Sequence, residues 1–239
     1  MSIRANALVV MAKAPIPGSV KTRLMPVFSA RQAAALARAL LVDQLQHLRA
    51  FRDADLYLAF TPPHARRLIR RLAPRRFEIF PQSRGDLGVR MQKVFATLFA
   101  KGHRRVVLIG GDLPPVPLSH FAQTFAYLDH RRPCAVLGPS LDGGYYLVGL
   151  NREQPALFDR MIWSHDRVLA QALEKLDSVG VRAKQLPLWF DVDTIDDLQR
   201  LLLLTGSSRK AMRNTLSLLQ RRPILKPGNP RQHAKVSWI

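Results

Sequence analysis

The sequence has 239 residues, 47% of them hydrophobic, which is enough to bury a sizeable core within one domain. Its single cysteine, Cys134, excludes an intramolecular disulfide framework and a Cys-rich zinc site, and fits the reducing conditions of the cytoplasm. Lys and Arg number 37 against 17 Asp and Glu, giving +20, a field that draws polyanions and phosphorylated molecules.

The first apolar run, residues 7–11, is uninterrupted, as a parallel strand buried on both faces should be, and is too short for a membrane span. Residues 12–24 (AKAPIPGSVKTRL) follow as a cationic loop. Ser29 with Gln32 forms a capping box that opens a helix to about residue 49, with Leu36, Leu40, Leu41, Leu45 and Leu48 at helical spacing. Residues 55–60 read as the second strand. Thr61 is expected to cap a helix that has Pro62 at its first position and runs to residue 72. A short strand at 77–80, a helix at 87–101 and a strand at 105–109 come next, then a helix at 119–128 and strands at 134–138 and 145–150. A helix over 164–179, an extended segment at 181–186 and a last helix capped by Thr194, with Asp197 at its third position, close the core near residue 204. Strands alternating with helices predict an α/β protein: a mostly parallel sheet between two helical layers, a three-layer sandwich. The reading divides the chain into a domain at residues 1–206 and a basic, partly disordered tail at 207–239 that contains one more amphipathic turn at 211–219 and no Asp or Glu. That tail keeps nucleic acid and anionic surfaces among the candidate partners. The basic residues of the body are scattered as arginine pairs, not gathered with aromatics into a groove.

Nearly all the unusual residues lie in loops that follow strands, where open α/β sheets bind ligands. In the first, Lys13, Lys21 and Arg23 supply the charge that neutralises a triphosphate or a pyrophosphate leaving group, and Gly18 lets a ligand approach the backbone. In the second, Gln82, Gly85, Asp86, Gly88 and Arg90 suggest contact with a base or sugar, although Asp86 also suits a helix cap. The third, GGDLPP, puts Asp112 directly after a buried strand, which suits Mg²⁺ or Mn²⁺ bridging substrate phosphates. In the fourth, Asp142, Gly143, Gly144 and Tyr145 leave room for a ligand and offer a ring to stack on it, or simply form a hairpin turn. Asp191 and Asp193, two apart in an extended segment, share a face and could complete the metal site or serve only the helix that follows. His165 is expected to be an exposed first-turn residue. Neither a G-x-S-x-G elbow nor a Walker A sequence is present.

Six motifs in order, AKAPIPGSVKTRL, GDLGVRM, LIGGDLPPVP, VLGPSLDGGYYLVGL, LFDRMIWS and FDVDTIDDL, resemble the glycosyltransferase-A-like, DUF2064-type transferases associated with radical-SAM and selenodomain proteins. The resemblance spans roughly residues 8–204. It extends more distantly to phospholactate guanylyltransferase and the molybdenum-cofactor nucleotidyltransferases. It implies the Rossmann-like fold of nucleotide-diphospho-sugar transferases (GT-A), a nucleotide-sugar or nucleoside-triphosphate donor and a small-molecule acceptor. Asp112, with Asp193, is then expected to hold Mg²⁺ or Mn²⁺. Lys21, Arg23 and Asp112 are the implied catalytic groups. Lys13, Gly18, Lys21 and Arg23 would meet phosphates, Gln82, Gly85, Asp86 and Arg90 would border the nucleotide, and Asp142, Gly143, Gly144 and Tyr145 would face the acceptor. Two positions depart from the family pattern: Gly111 stands where Ser is common, and His165 where Thr is common. Glycosyl transfer is the expected activity. Nucleotidyl transfer to a phosphorylated molecule and plain polyanion binding are the alternatives.

Overall fold

A computed structural model describes residues 3–220. Seven strands form one sheet: β1 (Asn6–Lys13), β2 (Asp55–Thr61), β3 (Phe77–Pro81), β4 (Arg105–Gly110), β5 (Cys134–Pro139), β6 (Tyr145–Leu150) and β7 (Arg182–Gln185), in the order β3-β2-β1-β4-β6-β5-β7. All neighbours are parallel except β6, which runs antiparallel to both β4 and β5. The reversal follows from the Asp142–Gly143–Gly144 sequence: Ser140 N–H donates to Gly144 O at 2.9 Å, closing a hairpin in which Gly143 takes φ +84°.

Alternate side chains of β1 enter opposite layers, as the strand period requires. Leu8, Val10 and Ala12 pack in the layer that includes Leu41, Leu45 and Leu48 of α1 (Ala30–Leu48), Ile69 and Leu72 of α2 (Arg66–Leu72), and Phe121 and Phe125 of α4 (Leu118–Tyr127). Ala7 and Val9 face Met91, Val94, Phe95 and Leu98 of α3 (Leu87–Ala100) and Ala172 and Leu176 of α5 (Val168–Ser178). The chain therefore forms the expected α/β three-layer sandwich. No helix among the described residues is long and apolar enough to cross a membrane.

Three expectations need correction. Thr61 does not cap a helix: it is the last residue of β2, paired with Lys13, and a 3-10 turn at Pro63–Ala65 precedes α2 with no side-chain cap. The helix expected from residue 164 begins at Val168, because Ser164 adopts φ +67° and turns the chain before it. The packed body also continues beyond residue 206. Helices α7 (Gly206–Ala211) and α8 (Arg213–Gln220) bury Met212 and Leu219 with Leu36 and Leu40 on the second face of α1 and with Leu198 and Leu201 of α6 (Ile195–Leu202). Asp43 of α1, itself buried, fixes them by accepting the N–H groups of Asn214 (3.0 Å) and Thr215 (2.8 Å) and the Asn214 amide (2.7 Å). The remaining tail, residues 221–239, lies outside the described residues.

From β1 the chain moves outward to β2 and β3, then returns to place β4 on the other side of β1. The C-terminal ends of β1 and β4 thus flank the switch point of the sheet, where the loops must part and leave a crevice.

Candidate active site

The loop after β1 leaves the sheet by a tight turn, with Ser19 N–H donating to Ile16 O at 3.1 Å across Gly18 at φ +83°. Lys21 then takes φ 51°, ψ 41°, a left-handed conformation that costs a non-glycine residue about 1–2 kcal/mol. Its side chain turns inward and is only 4% exposed, with Nζ 2.9 Å from Asp193 Oδ1 and 3.3 Å from Asp112 Oδ2. Burial works against the Lys21 ammonium, but the Asp112 and Asp193 carboxylates outweigh it and hold its pKa above the ordinary lysine value.

Backbone contacts bring the two carboxylates together. A side chain on Gly111 would place Cβ 2.7 Å from the Ala12 Cβ, so glycine there lets the loop after β4 press against the end of β1. Val192 N–H donates to Asp112 O at 3.3 Å and ties the approach to α6 to the same loop. The Asp197 carboxylate accepts from the N–H groups of Asp193 (3.1 Å) and Thr194 (2.8 Å) in the expected capping box, which leaves the Asp193 side chain for Lys21. Asp191 behaves differently. Burial pushes its carboxyl up to about 8, the charges of Asp112, Asp142 and Asp193 add to the rise, and its buried Oδ1 has no hydrogen-bond partner.

Two cavities meet here. The smaller, about 240 Å³, is lined by Lys13, Ser19, Lys21, Thr22, Asp112 and Asp193 among others. The larger, about 330 Å³, has Asp112, Asp142, Tyr145, Trp163, His165 and Asp191 in its wall. Asp112 and Met11 line both, so Asp112 stands between a cationic compartment and an acidic, aromatic one.

The structure thus gathers Lys13, Lys21, Asp112 and Asp193 on one side of this wall, and Asp142, Gly144 and Tyr145 on the other. It leaves out several residues expected to join them. Arg23 lies exposed on the 3-10 turn Thr22–Leu24 and lines neither cavity, because the left-handed turn at Lys21 directs that side chain inward and carries Arg23 away. Gly18 faces open space and is explained by its positive φ. Gln82 is buried and spends its amide on Ala59 O at 2.8 Å and Ala12 O at 3.4 Å, bridging β2 and β1. Asp86 caps α3 by accepting Val89 N–H at 2.9 Å, and Arg90 Nε braces the turn by donating to Gly85 O, also at 2.9 Å. Gly85, at φ +120°, and Gly143, whose added Cβ would lie 2.0 Å from Asp166 O, are backbone requirements.

From the Gln82–Arg90 stretch it is Leu87 that reaches a cavity, joined by Met91 one turn on. That cavity is the one holding Tyr145, not the cationic one. His165 lies in a loop and not in a helical turn; it lines the larger cavity while its Nδ1 accepts Arg167 N–H at 3.1 Å. Trp163 was not among the expected site residues. Gly88 on the facing helix seats it: a Cβ there would fall 3.0 Å from Trp163 Cζ2.

Carboxylate oxygens suit a hard divalent cation. Among the described residues no three Asp, Glu, His or Cys side chains converge as a closed metal cage. Asp112 and Asp193 form the two-carboxylate donor set that Mg²⁺ or Mn²⁺ uses when substrate phosphates complete the shell, so the residues fit such an ion.

Residues 44–165 match the family DUF2064, described as an uncharacterized protein conserved in bacteria. A search of curated proteins finds no match. Among solved structures, a Desulfovibrio desulfuricans protein, provisionally named a nucleotide-diphospho-sugar transferase, is 32% identical with TM-score 0.79, covering 92% of this chain and 98% of its own. A Leptospira borgpetersenii cytidylyltransferase has TM-score 0.58 at 13% identity, covering 95% of this chain and 98% of its own. The 4-diphosphocytidyl-2C-methyl-D-erythritol synthase of Anaerococcus prevotii has TM-score 0.53 at 12% identity, covering 81% and 95%. At these low identities the last two share the fold alone.

Proposed function

Because this chain belongs to the DUF2064 family, we propose that it is a transferase that uses an activated nucleotide donor and a divalent cation, and that it moves a glycosyl group to a small acceptor. The observation that carries this reading is the placement of Asp112 between a lysine-lined cavity and an acidic, aromatic one at the switch point of the sheet. Lys13 and Lys21 bind the donor's diphosphate. Asp112 and Asp193 would hold Mg²⁺ or Mn²⁺, which would supply positive charge to the departing phosphates. The acceptor lies in the larger cavity, where its hydroxyl oxygen forms the new bond to the anomeric carbon, the bond to the diphosphate breaks, and a facing carboxylate takes the proton. Each pre-placed charge aimed at the leaving group contributes about 3 kcal/mol to the transition state when water is excluded.

The fold shared with the Leptospira cytidylyltransferase favours one second reading, nucleotidyl transfer, in which a substrate phosphate attacks the α-phosphorus and pyrophosphate leaves. One experiment tests both. A panel of nucleoside triphosphates and nucleotide sugars is titrated calorimetrically with and without Mn²⁺, against the native chain and Asp112→Asn, and products are then separated. Metal-dependent binding that is lost in Asp112→Asn, with release of a nucleoside diphosphate, supports glycosyl transfer, whereas release of pyrophosphate assigns the second reading. Absence of metal-dependent binding to every member overturns both.

A further inference from the structure

The larger cavity differs in charge from the molecule that surrounds it. The chain carries 37 Lys and Arg, yet this cavity's wall contains Asp112, Asp142 and Asp191 and neither a lysine nor an arginine. A phosphate or carboxylate entering it would face that charge with no basic side chain to receive it. A neutral molecule meets no such cost.

The same wall holds unused hydrogen-bonding groups. The Tyr145 hydroxyl, Trp163 Nε1 and Asp191 Oδ1 are all buried without a partner. Native proteins leave few polar atoms in this state, and each is expensive; these three lie behind the cavity surface, so a ligand that the side chains turn to meet recovers that cost. Trp163 Nε1 can only donate, the Tyr145 hydroxyl can donate or accept, and the Asp191 oxygen offers an acceptor. The matching ligand therefore carries both hydroxyl donors and oxygen acceptors.

Apolar surface surrounds these groups. The Tyr145 and Trp163 rings meet edge to face, with centroids 6.4 Å apart and planes at 73°, and Leu87, Met91 and Val148 complete the wall. Such surface suits the C–H face of a sugar ring or cyclic polyol. Gly88 seats the Trp163 ring, and Leu169 N–H donates to Gly143 O at 2.9 Å, docking the β5–β6 turn onto the first turn of α5. At about 330 Å³ the cavity lies at the small end of ligand sites.

We infer that the larger cavity binds a neutral, polyhydroxylated molecule of monosaccharide size, with Tyr145 and Trp163 as its specificity-determining residues. The role of that molecule as acceptor rests on the transferase reading; its binding does not. The same chemistry is present in a free acceptor and in the sugar of a donor, and competition separates the two sources.

The test is calorimetric titration of the full chain with glucose, myo-inositol and glucose 6-phosphate, alone and with UDP or UDP-glucose present. The neutral probes are expected to bind at least about tenfold more tightly than glucose 6-phosphate, and Tyr145→Phe to weaken them about tenfold. Trp163→Phe is expected to do the same. Both variants should keep the affinity for UDP of the native chain. Displacement of a neutral probe by UDP-glucose but not by UDP places the donor's sugar in the cavity; binding of the probe beside either nucleotide places an acceptor there. The inference is overturned if no neutral probe binds at millimolar concentration, if glucose 6-phosphate binds as tightly as glucose, or if Tyr145→Phe leaves the neutral probes unaffected. Loss of all nucleotide binding with neutral probes still bound would sink the transferase reading and leave this one standing.

Discussion

Lys21 Nζ lies 2.9 Å from Asp193 Oδ1, although 172 residues separate them in the chain. This pair closes the cationic compartment against the carboxylate cluster. Lys21→Met leaves Asp112 and Asp193 facing each other without a cation between them. The carboxylate side chains are 47% and 41% exposed, so solvent screens much of the loss, and we expect about 1 kcal/mol of destabilisation in urea melts. Nucleotide affinity should fall more than tenfold, measured by calorimetry. Unchanged affinity would remove Lys21 from the phosphate site.

Asp43 joins α1 to α8 through three accepted hydrogen bonds, two from backbone N–H groups in the first turn of α8. Asp43→Ala leaves the buried Thr215 N–H unpaired and gives the Asn214 donors back to water, and should cost about 2 kcal/mol. Trypsin cleavage after Arg209, Lys210 or Arg213 should accelerate in parallel, because the helices lose their anchor. Native-like cleavage rates in the variant would show that apolar packing alone holds this end.

Gly143 and Gly18 both adopt positive φ, but they differ in what surrounds them. An alanine Cβ at 143 would fall 2.0 Å from Asp166 O, whereas at 18 nothing lies within 4 Å. Gly18→Ala should cost only the left-handed backbone penalty, about 1 kcal/mol. Gly143→Ala should cost about 3 kcal/mol or more and open the larger cavity, since backbone must move. Thermal melting of the two variants tests the ordering; equal losses would contradict the docking assigned to Gly143.

His120 and His47 give stability a pH dependence on the acid side. Burial lowers the pKa of His120, and burial, partly offset by the hydrogen bond to Val116 O, lowers that of His47. The folded pKa values then lie below the unfolded value near 6.5, so as pH falls through about 6.5 the unfolded chain takes up protons first. Stability is fully present above that pH and is lost below it, by at most about 1.4 kcal/mol per pH unit for each proton. Melting temperatures between pH 7.5 and 5.5 should show this slope, and His120→Gln should flatten it.

Local pattern was enough for much of the architecture. The uninterrupted run in β1, the Ser29 and Gln32 capping box and the Thr194 and Asp197 capping box depend on neighbours within a few residues, and each stands where its spacing put it. Asp112 at the end of β4 was legible for the same reason: a carboxylate directly after a buried strand and two glycines has few places to go.

What local pattern left equal, the strand order separated. Lys13, Lys21 and Arg23 look alike as loop cations, yet the first two line the smaller cavity and Arg23 lines neither of the two, because a left-handed residue turns Lys21 in and Arg23 out. The Gln82–Arg90 stretch read as a nucleotide wall, and its Asp86 and Arg90 also cap and brace the start of α3. Its helix instead meets Trp163 in the compartment of Tyr145. The sequence by itself determined which residue types stand at the ends of the strands. Only the tertiary structure decided which ends are neighbours, because β4 returns beside β1 and brings Asp112 to Lys21 across 91 residues, a distance over which no local spacing carries information.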